Sequence, residues 1–279
     1  MKTRIIVDST SDLPQHIKDR VQVMPLTLRF GEEEYLDGVT IDHETFYKKL
    51  AQSDELPTTS QGTPAAFGAE FDKVAQAGDS AVVITLASKL SGTYQSAMIA
   101  ADDYENIYVV DSGTVAMGGG VLAELAVRYL DEGLSAREIA EKLEAVKDKI
   151  VIVALVDTLE YLKKGGRISK TVAFAGTLLN IKPVIGAIGG EIHILGKARG
   201  AKQGTSLMVQ EVEKAGGVDT DLPVLLGYSG LSDETVVKFI EDSKHLWGQG
   251  LQEFHYTSLG SVIGTHVGPG AIAITFFHK

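Results

Sequence analysis

Apolar segments with the length of strands alternate with helix signals through the first half of the chain. Ala81–Leu86 (AVVITL) and Ile107–Asp111 are typical of buried strands, and the apolar positions of Val21–Phe30 predict another strand. Apolar strands that alternate with helices favour a parallel sheet covered on both faces. We therefore expect residues 1–150 to form an N-terminal three-layer α/β/α domain.

The second half of the chain combines hairpin signals with helix signals. Gly189-Gly190 lies between the apolar runs Pro183–Ile188 and Glu191–Leu195, which predicts a β-hairpin. A helix is predicted over Thr171–Leu179. Because a hairpin places antiparallel strands in a sheet, we expect residues 151–279 to form a C-terminal α/β domain with a mixed sheet. The predicted fold class is therefore α/β with two domains.

The composition narrows the chemistry that the chain can perform. It has 279 residues and no cysteine, which excludes disulfides, thiolate zinc sites, iron–sulfur clusters and cysteine nucleophiles. Lys plus Arg is 26 and Asp plus Glu is 37, so the formal charge is −11. Since phosphate contacts need clustered Lys and Arg, we expect no nucleic-acid partner. The seven histidines lack the spacing of a metal site, so no metal or cofactor is expected.

The sequence has no targeting or membrane signal. Met1–Arg4 carries two basic residues, but only Ile5–Val7 follows before Asp8, which is too short for the apolar core of a signal peptide. No run approaches the roughly 18 apolar residues that span a bilayer. We expect a monomeric cytoplasmic protein without stable membrane insertion.

Clusters of polar residues occur where predicted strands end. Asp8–Asp12, Ser88–Thr93 and Asp111–Thr114 follow strands, and Thr58–Gln61 precedes a predicted helix. Ligands of open α/β sheets bind at this edge, and hydroxyls together with helix N-terminal amides can hold a carboxylate or phosphate. Helix capping uses the same residue types and is the alternative for each cluster. The candidate ligand contacts are Thr59, Ser60, Ser91, Gly92 and Thr93.

The segment Gly264–Ala271 combines glycines, a proline and one histidine immediately before the last predicted strand. We interpret it as a loop that approaches another part of the molecule closely and orients the imidazole of His266. A surface histidine without a role is the alternative. The chain contains no Walker A sequence and no dinucleotide-binding glycine motif.

Taken together, these motifs resemble the DegV family of bacterial fatty-acid-binding proteins. The matching segments occur in family order from residue 7 to residue 271. They are Val7–Leu13, Pro57–Gln61, Leu90–Ala97, Val110–Ser112, Leu162–Ile168, Lys182-Pro183, Gly196–Arg199 and Ile263–Ala271. Each segment is short, but the ordered set spans nearly the whole chain and is specific.

The resemblance implies a two-domain protein that binds one long-chain fatty acid between its domains. It implies that Thr59 and Ser91 contact the carboxylate and that His266 lies nearby. Some family members present the bound acid to a separate fatty-acid kinase, which forms acyl phosphate for phospholipid synthesis. In those members the position of Arg167 is linked to kinase docking. The chain would then be a lipid-binding subunit and not itself an enzyme.

Two other functions stay open from the sequence. Ser91 as nucleophile, His266 as base and Asp8 or Asp111 as the orienting carboxylate would make a hydrolase or acyl transferase. A protein that binds phosphate ligands is the other, because glycine-rich helix starts suit phosphate. The scarcity of Lys and Arg in the N-terminal clusters disfavours the phosphate binder.

Overall fold

The computed structural model describes residues 2–168, 180–247 and 254–279, which form an α/β fold. The helix predicted over Thr171–Leu179 lies outside these residues. The strands are β1 (Thr3–Asp8), β2 (Val21–Met24), β3 (Thr27–Phe30), β4 (Glu33–Leu36), β5 (Thr58–Ser60), β6 (Ser80–Thr85), β7 (Ile107–Asp111), β8 (Ile150–Leu155), β9 (Ile181–Ile188), β10 (Glu191–Arg199), β11 (Leu225–Tyr228), β12 (Tyr256–Ser258) and β13 (Ile272–Phe277). The α-helices are α1 (His43–Gln52), α2 (Pro64–Gln76), α3 (Thr93–Ala101), α4 (Met117–Asp131), α5 (Ala136–Val146), α6 (Glu160–Lys164), α7 (Ala201–Lys214), α8 (Glu234–Asp242) and α9 (Ser261–Val267).

Parallel strands form the first sheet, in the order β2-β1-β6-β7. Every residue of β6 is buried, as expected for an apolar strand covered on both faces. Val82 and Ile84 pack with α4 and α5 on one face, whereas Ala81 and Val83 pack with α2 and α3 on the other. The predicted three-layer α/β/α arrangement is confirmed.

The second sheet is mixed, in the order β10-β9-β8-β13-β11-β12. Strands β9 and β10 form the predicted hairpin, and Gly189 and Gly190 in its turn have φ values of 56° and 79°. A two-residue turn with both φ angles positive favours glycine, which has no Cβ to clash. Strand β12 pairs in parallel with β11, while the other pairings are antiparallel. The predicted mixed sheet is confirmed.

A small antiparallel sheet, in the order β4-β3-β5, corrects one strand prediction. The single strand predicted over Val21–Phe30 is wrong, because Pro25 separates β2 from β3 and the two strands belong to different sheets. Proline has no N–H to donate to a neighbouring strand and restricts the residue before it. Strand β3 pairs instead with β5, with Leu28 opposite Thr59. This pairing positions the polar segment Thr58–Gln61.

Helix α4 lies between the two larger sheets and joins their cores. Residues 117–127 are all buried, and Met117 belongs to one apolar cluster with Val7 of β1 and Ala273 of β13. The other face of the mixed sheet packs against α7 and α8.

The strands of the parallel sheet all precede Ile150 and those of the mixed sheet start there. The division into domains 1–150 and 151–279 stays a prediction. None of the helices in the described ranges is long and apolar enough to cross a membrane.

Candidate functional site

An apolar cavity lies between the carboxyl end of the parallel sheet and the inner face of the mixed sheet. It encloses about 950 Å³, including its open mouth. Ala154, Ile185 and Ala273 line it from the mixed sheet, and Leu86 lines it from the end of β6. A ligand that fills this cavity must be largely apolar.

A small set of polar side chains also lines the cavity. They are Thr10, Thr59, Ser60, Gln61, Ser91, Arg167 and His266. The structure therefore brings together Thr59, Ser60, Ser91 and His266, four of the predicted ligand contacts, from three distant parts of the sequence. The other two, Gly92 and Thr93, are not in the cavity wall and lie directly behind Ser91.

His266 and Thr59 form a direct contact at the polar part of the cavity. Nε2 of His266 lies 2.9 Å from Oγ1 of Thr59. The histidine is in the last turn of α9, so the loop predicted around Gly264–Ala271 is wrong in its first half. A hypothetical Cβ on Gly165 would lie 2.2 Å from Nδ1 of His266. Only glycine at position 165 leaves the imidazole room in this position.

The environment of His266 keeps its imidazole neutral near pH 7. Burial and the nearby Arg167 guanidinium lower its pKa to about 4. Nδ1 is buried and has no hydrogen-bond partner in the described part of the chain. The histidine therefore acts as a neutral hydrogen-bonding group and not as a cation.

Ser91 is held by the first residue of α3. Its Oγ lies 2.9 Å from Oγ1 of Thr93 and accepts a hydrogen bond from the Thr93 N–H at 3.3 Å. The Gly62 N–H donates to Oγ1 of Thr93 at 3.2 Å. Thr93 is fully buried, and Gly92 is the residue that caps α3. Thr93 thus fixes Ser91 and ties the Thr58–Gln61 segment to α3.

Gln61 and Thr10 are cavity residues that sequence reasoning did not select. Nε2 of Gln61 donates to Oγ of Ser96 in α3 at 3.0 Å. Oγ1 of Thr10 donates to Asp8 at 2.5 Å, within a turn that Asp8 caps. Both residues stood in the polar clusters of the sequence, and no further signal separated them from their neighbours. In the Asp8–Asp12 cluster the capping interpretation is correct for Asp8.

Arg167 lies in the cavity wall, beside the polar residues. Its Nε donates to the Leu90 carbonyl at 3.2 Å and its Nη1 to the Gly165 carbonyl at 2.7 Å. These bonds hold the guanidinium between the residue before Ser91 and the glycine that contacts His266. The resemblance linked this position to partner docking, and the structure places Arg167 in the cavity wall. In the described residues, it is the one Lys or Arg of the cavity wall.

A family model described as "Uncharacterised protein, DegV family" matches residues 2–279. The chain belongs to the DegV family. A DegV domain-containing protein of Caldanaerobacter subterraneus is 34% identical, over 100% of this chain and 99% of its own.

Two solved structures are similar over the full chain. A fatty-acid-binding DegV family protein of Thermus thermophilus has a TM-score of 0.88 and 30% identity, with 100% of both chains covered. A stearic-acid-binding protein of Eubacterium ventriosum has a TM-score of 0.88 and 29% identity, covering 100% of this chain and 99% of its own. The predicted α/β class, with one parallel and one mixed sheet, is the fold of the DegV structures.

The hydrolase arrangement considered from the sequence is not formed in this DegV family member. His266 contacts Thr59 and not Ser91. Asp8 and Asp111 accept hydrogen bonds from backbone amides of nearby turns, and Nδ1 of His266 has no partner in the described chain. A triad needs a nucleophile–base contact and a base–carboxylate contact. Within residues 2–168, 180–247 and 254–279, no group of three or more His, Asp or Glu residues is placed to hold a metal.

Proposed function

We propose that this chain binds one long-chain fatty acid, with the acyl tail in the apolar cavity and the carboxylate at the polar residues. The observation that carries the proposal is an apolar cavity with a few polar groups in its wall. Among them Thr59 contacts His266, and Arg167 binds the carbonyl of the residue before Ser91. Each buried methylene contributes about 0.8 kcal/mol, so the tail supplies most of the affinity. The related proteins that bind fatty acids and stearic acid support this assignment.

The hydroxyl of Ser91 is arranged to donate to a carboxylate. Its oxygen already accepts the Thr93 N–H, and Thr93 Oγ1 already accepts the Gly62 N–H. Ser91 Oγ and Thr93 Oγ1 lie 2.9 Å apart, and we assign the hydrogen of this contact to Thr93. With its acceptor positions occupied, Ser91 directs its own hydrogen into the cavity.

Thr59 is oriented in the same way by His266. A neutral imidazole carries its hydrogen on one nitrogen only. A hydrogen on Nδ1 would be a buried donor without an acceptor, which is rarer in proteins than an unsatisfied acceptor. We assign the hydrogen to Nε2, which then donates to Thr59 Oγ1 and leaves the Thr59 hydrogen for the ligand. The Arg167 guanidinium balances the charge of the carboxylate.

The carboxylate end of the cavity is also the end that a partner enzyme would reach. Ser60 and Gln61 at this end are exposed. We propose that a separate fatty-acid kinase transfers the γ-phosphoryl group of ATP to the carboxylate, which yields acyl phosphate and ADP, with Arg167 contributing to docking. In this proposal the chain acts as a monomeric cytoplasmic lipid carrier, with the cavity between domains 1–150 and 151–279.

Fatty-acid binding is tested by organic extraction of the purified protein and mass spectrometry of the released lipid. Thr59→Val and Ser91→Ala should retain less acid, because each removes a donor to a charged group, worth about 1.5–3 kcal/mol. Thr58→Val and Ser88→Ala are the controls, since both residues are exposed and lie outside the cavity wall. Equal retention by Thr59→Val and Thr58→Val would refute the carboxylate site.

Presentation to a kinase is tested with protein saturated with fatty acid, a fatty-acid kinase and ATP. Acyl phosphate is trapped with hydroxylamine and quantified. Arg167→Gln should form less acyl phosphate at saturation, whereas Arg137→Gln, on the distant helix α5, should match the parent. Equal product from Arg167→Gln would remove Arg167 from the docking role without affecting the binding proposal.

A further inference from the structure

Two buried carboxylates bind the start of helix α9, and neither lines the cavity. Oδ1 of Asp12 accepts the Gly260 N–H at 2.7 Å, and Oδ1 of Asp37 accepts the Ser261 N–H at 2.9 Å. The exposed fraction is 9% for Asp12 and 4% for Asp37. Consecutive amides of one helix start are thus held by carboxylates from two separate parts of the N-terminal half.

The remaining oxygens of the two carboxyl groups lack partners. Oδ2 of Asp12 and Oδ2 of Asp37 are buried, and neither has a hydrogen-bond partner in the described residues. A hypothetical Cβ on Gly260 would lie 3.3 Å from Oδ1 of Asp12 and 3.3 Å from Oδ2 of Asp37. Both carboxyl groups therefore lie against the same Cα atom.

Ionisation of both buried carboxyl groups would cost free energy. Burial raises the pKa of both groups, and the charge of Asp37 raises that of Asp12 further. Buried carboxyl groups that are close together commonly titrate as a pair that retains one proton. One proton would also provide a donor for an oxygen that now has no partner.

The other charged and titratable groups around the pair do not offset the cost of ionising both carboxyl groups. Asp8 adds a further negative charge, and Lys18 is the nearby cation that favours ionisation of Asp12. From α1, His43 and Tyr47 contact the Leu259 carbonyl and not the pair. The nearby hydroxyls of Ser9 and Ser261 favour ionisation of Asp37, which makes Asp12 the better holder of the proton.

We propose that the pair Asp12 and Asp37 retains one proton and, in that state, positions α9 as a wall of the cavity. Leu259, Val262, Ile263, His266 and Val267 face the cavity with helical spacing. The two aspartates bind the first amides of this helix, and His266 lies in its last turn. They are positioning residues, since they act on the ligand only through α9.

The pair makes folding depend on pH in a defined direction. In the unfolded chain both aspartates ionise above pH of about 3.8, whereas the folded protein retains one proton. Unfolding then releases a proton, so the contribution of the pair to stability is full at low pH and is lost as the pH rises, until the pair ionises in the folded state. The unfolding equilibrium constant rises by up to about tenfold per pH unit in that range.

The test is urea unfolding of the full chain across this pH range, with no ligand added, so the outcome does not depend on fatty-acid binding. Asp37→Asn keeps an oxygen acceptor for the Ser261 N–H and removes the charge that raises the pKa of Asp12. Relative to the parent, this variant should gain stability as the pH rises. Asp12→Asn is the second variant with the same expectation, and the exposed Asp102→Asn is the control. An unchanged pH slope in Asp37→Asn or Asp12→Asn would overturn the proposal.

Discussion

The hydroxyl oxygen of Thr59 lies 2.9 Å from Nε2 of His266, although 207 residues separate the two in sequence. The contact joins β5 of the small antiparallel sheet to α9, which precedes the last strand of the mixed sheet. The contact places two uncharged hydrogen-bonding side chains, Thr59 and His266, in the wall of an apolar cavity. The polar part of the site therefore depends on the packing of the two halves of the chain.

The lowered pKa of His266 predicts a loss of stability at acid pH. The folded imidazole protonates only near pH 4, whereas the unfolded one protonates near pH 6.5. Between these values the unfolded chain binds more protons, so the free energy of unfolding falls as the pH falls from 6.5 to about 4. At about 1.4 kcal/mol per pKa unit, the loss is on the order of 3 kcal/mol.

Urea unfolding of the His266→Gln variant checks this prediction. Glutamine places an amide near the position of Nε2 and does not titrate, so this contribution to the pH dependence should disappear. His245→Gln, at an exposed histidine, should keep the pH dependence of the parent. A His266→Gln profile parallel to the parent would contradict the prediction.

Arg167 should influence the titration of His266. Its charge opposes protonation of the imidazole, although burial is the larger cause of the low pKa. In Arg167→Gln the pKa of His266 should therefore rise above about 4 but stay below 6.5. Proton NMR titration of the histidine Cε1–H signals measures this, with the His266→Gln spectrum as the assignment. Arg167→Lys keeps the charge and should shift the pKa less, and a pKa unmoved in Arg167→Gln would exclude the electrostatic coupling.

Local patterns were sufficient to predict much of the fold. The buried run Ala81–Leu86 and the hairpin at Gly189-Gly190 follow from apolar pattern and turn chemistry, which act over a few residues. The sequence failed at Pro25, where one apolar pattern continues across two strands of different sheets. It also failed at His266, because three glycines suggested a loop where tertiary packing supports the helix α9.

The sequence predicted residues of the candidate site but not how they contact one another. The resemblance singled out Thr59 and Ser91 from the polar clusters, and both line the cavity. Thr93 belongs to the same motif and instead holds Ser91 from behind. Asp37 had no signal in the sequence, since its importance arises from a contact with Ser261 that is 224 residues away.

A methyl group added at Gly264 should destabilise the protein. This glycine of α9 faces α1, and a Cβ there would lie 2.5 Å from Oη of Tyr47 and 2.6 Å from Cε1 of Phe46. Both rings are buried, so they cannot move away easily. Overpacking of this kind costs about 1–3 kcal/mol.

The matched control is Gly68→Ala in the interior of α2. A Cβ there would have no heavy atom within 4 Å, so the change should stabilise the helix by about 0.5–1 kcal/mol. Urea midpoints of both variants give the comparison. Gly264→Ala as stable as the parent would mean that α9 can move away from α1.

The inner face of the mixed sheet should determine how long a fatty acid fits. Ala154 and Ala273 are direct neighbours on β8 and β13, and both line the cavity. Ala154→Leu adds a branched side chain that occupies space otherwise available to the acyl tail. Each displaced methylene costs about 0.8 kcal/mol, so displacement of two or three weakens binding roughly 15- to 60-fold. The dissociation constants of Ala154→Leu for saturated acids of increasing length should differ from those of the parent only for the longest acids.

Ala65→Leu, at an exposed position of α2, should leave the whole series unchanged. Equal weakening of short and long acids would instead mean that Ala154→Leu disturbs the carboxylate end or the fold.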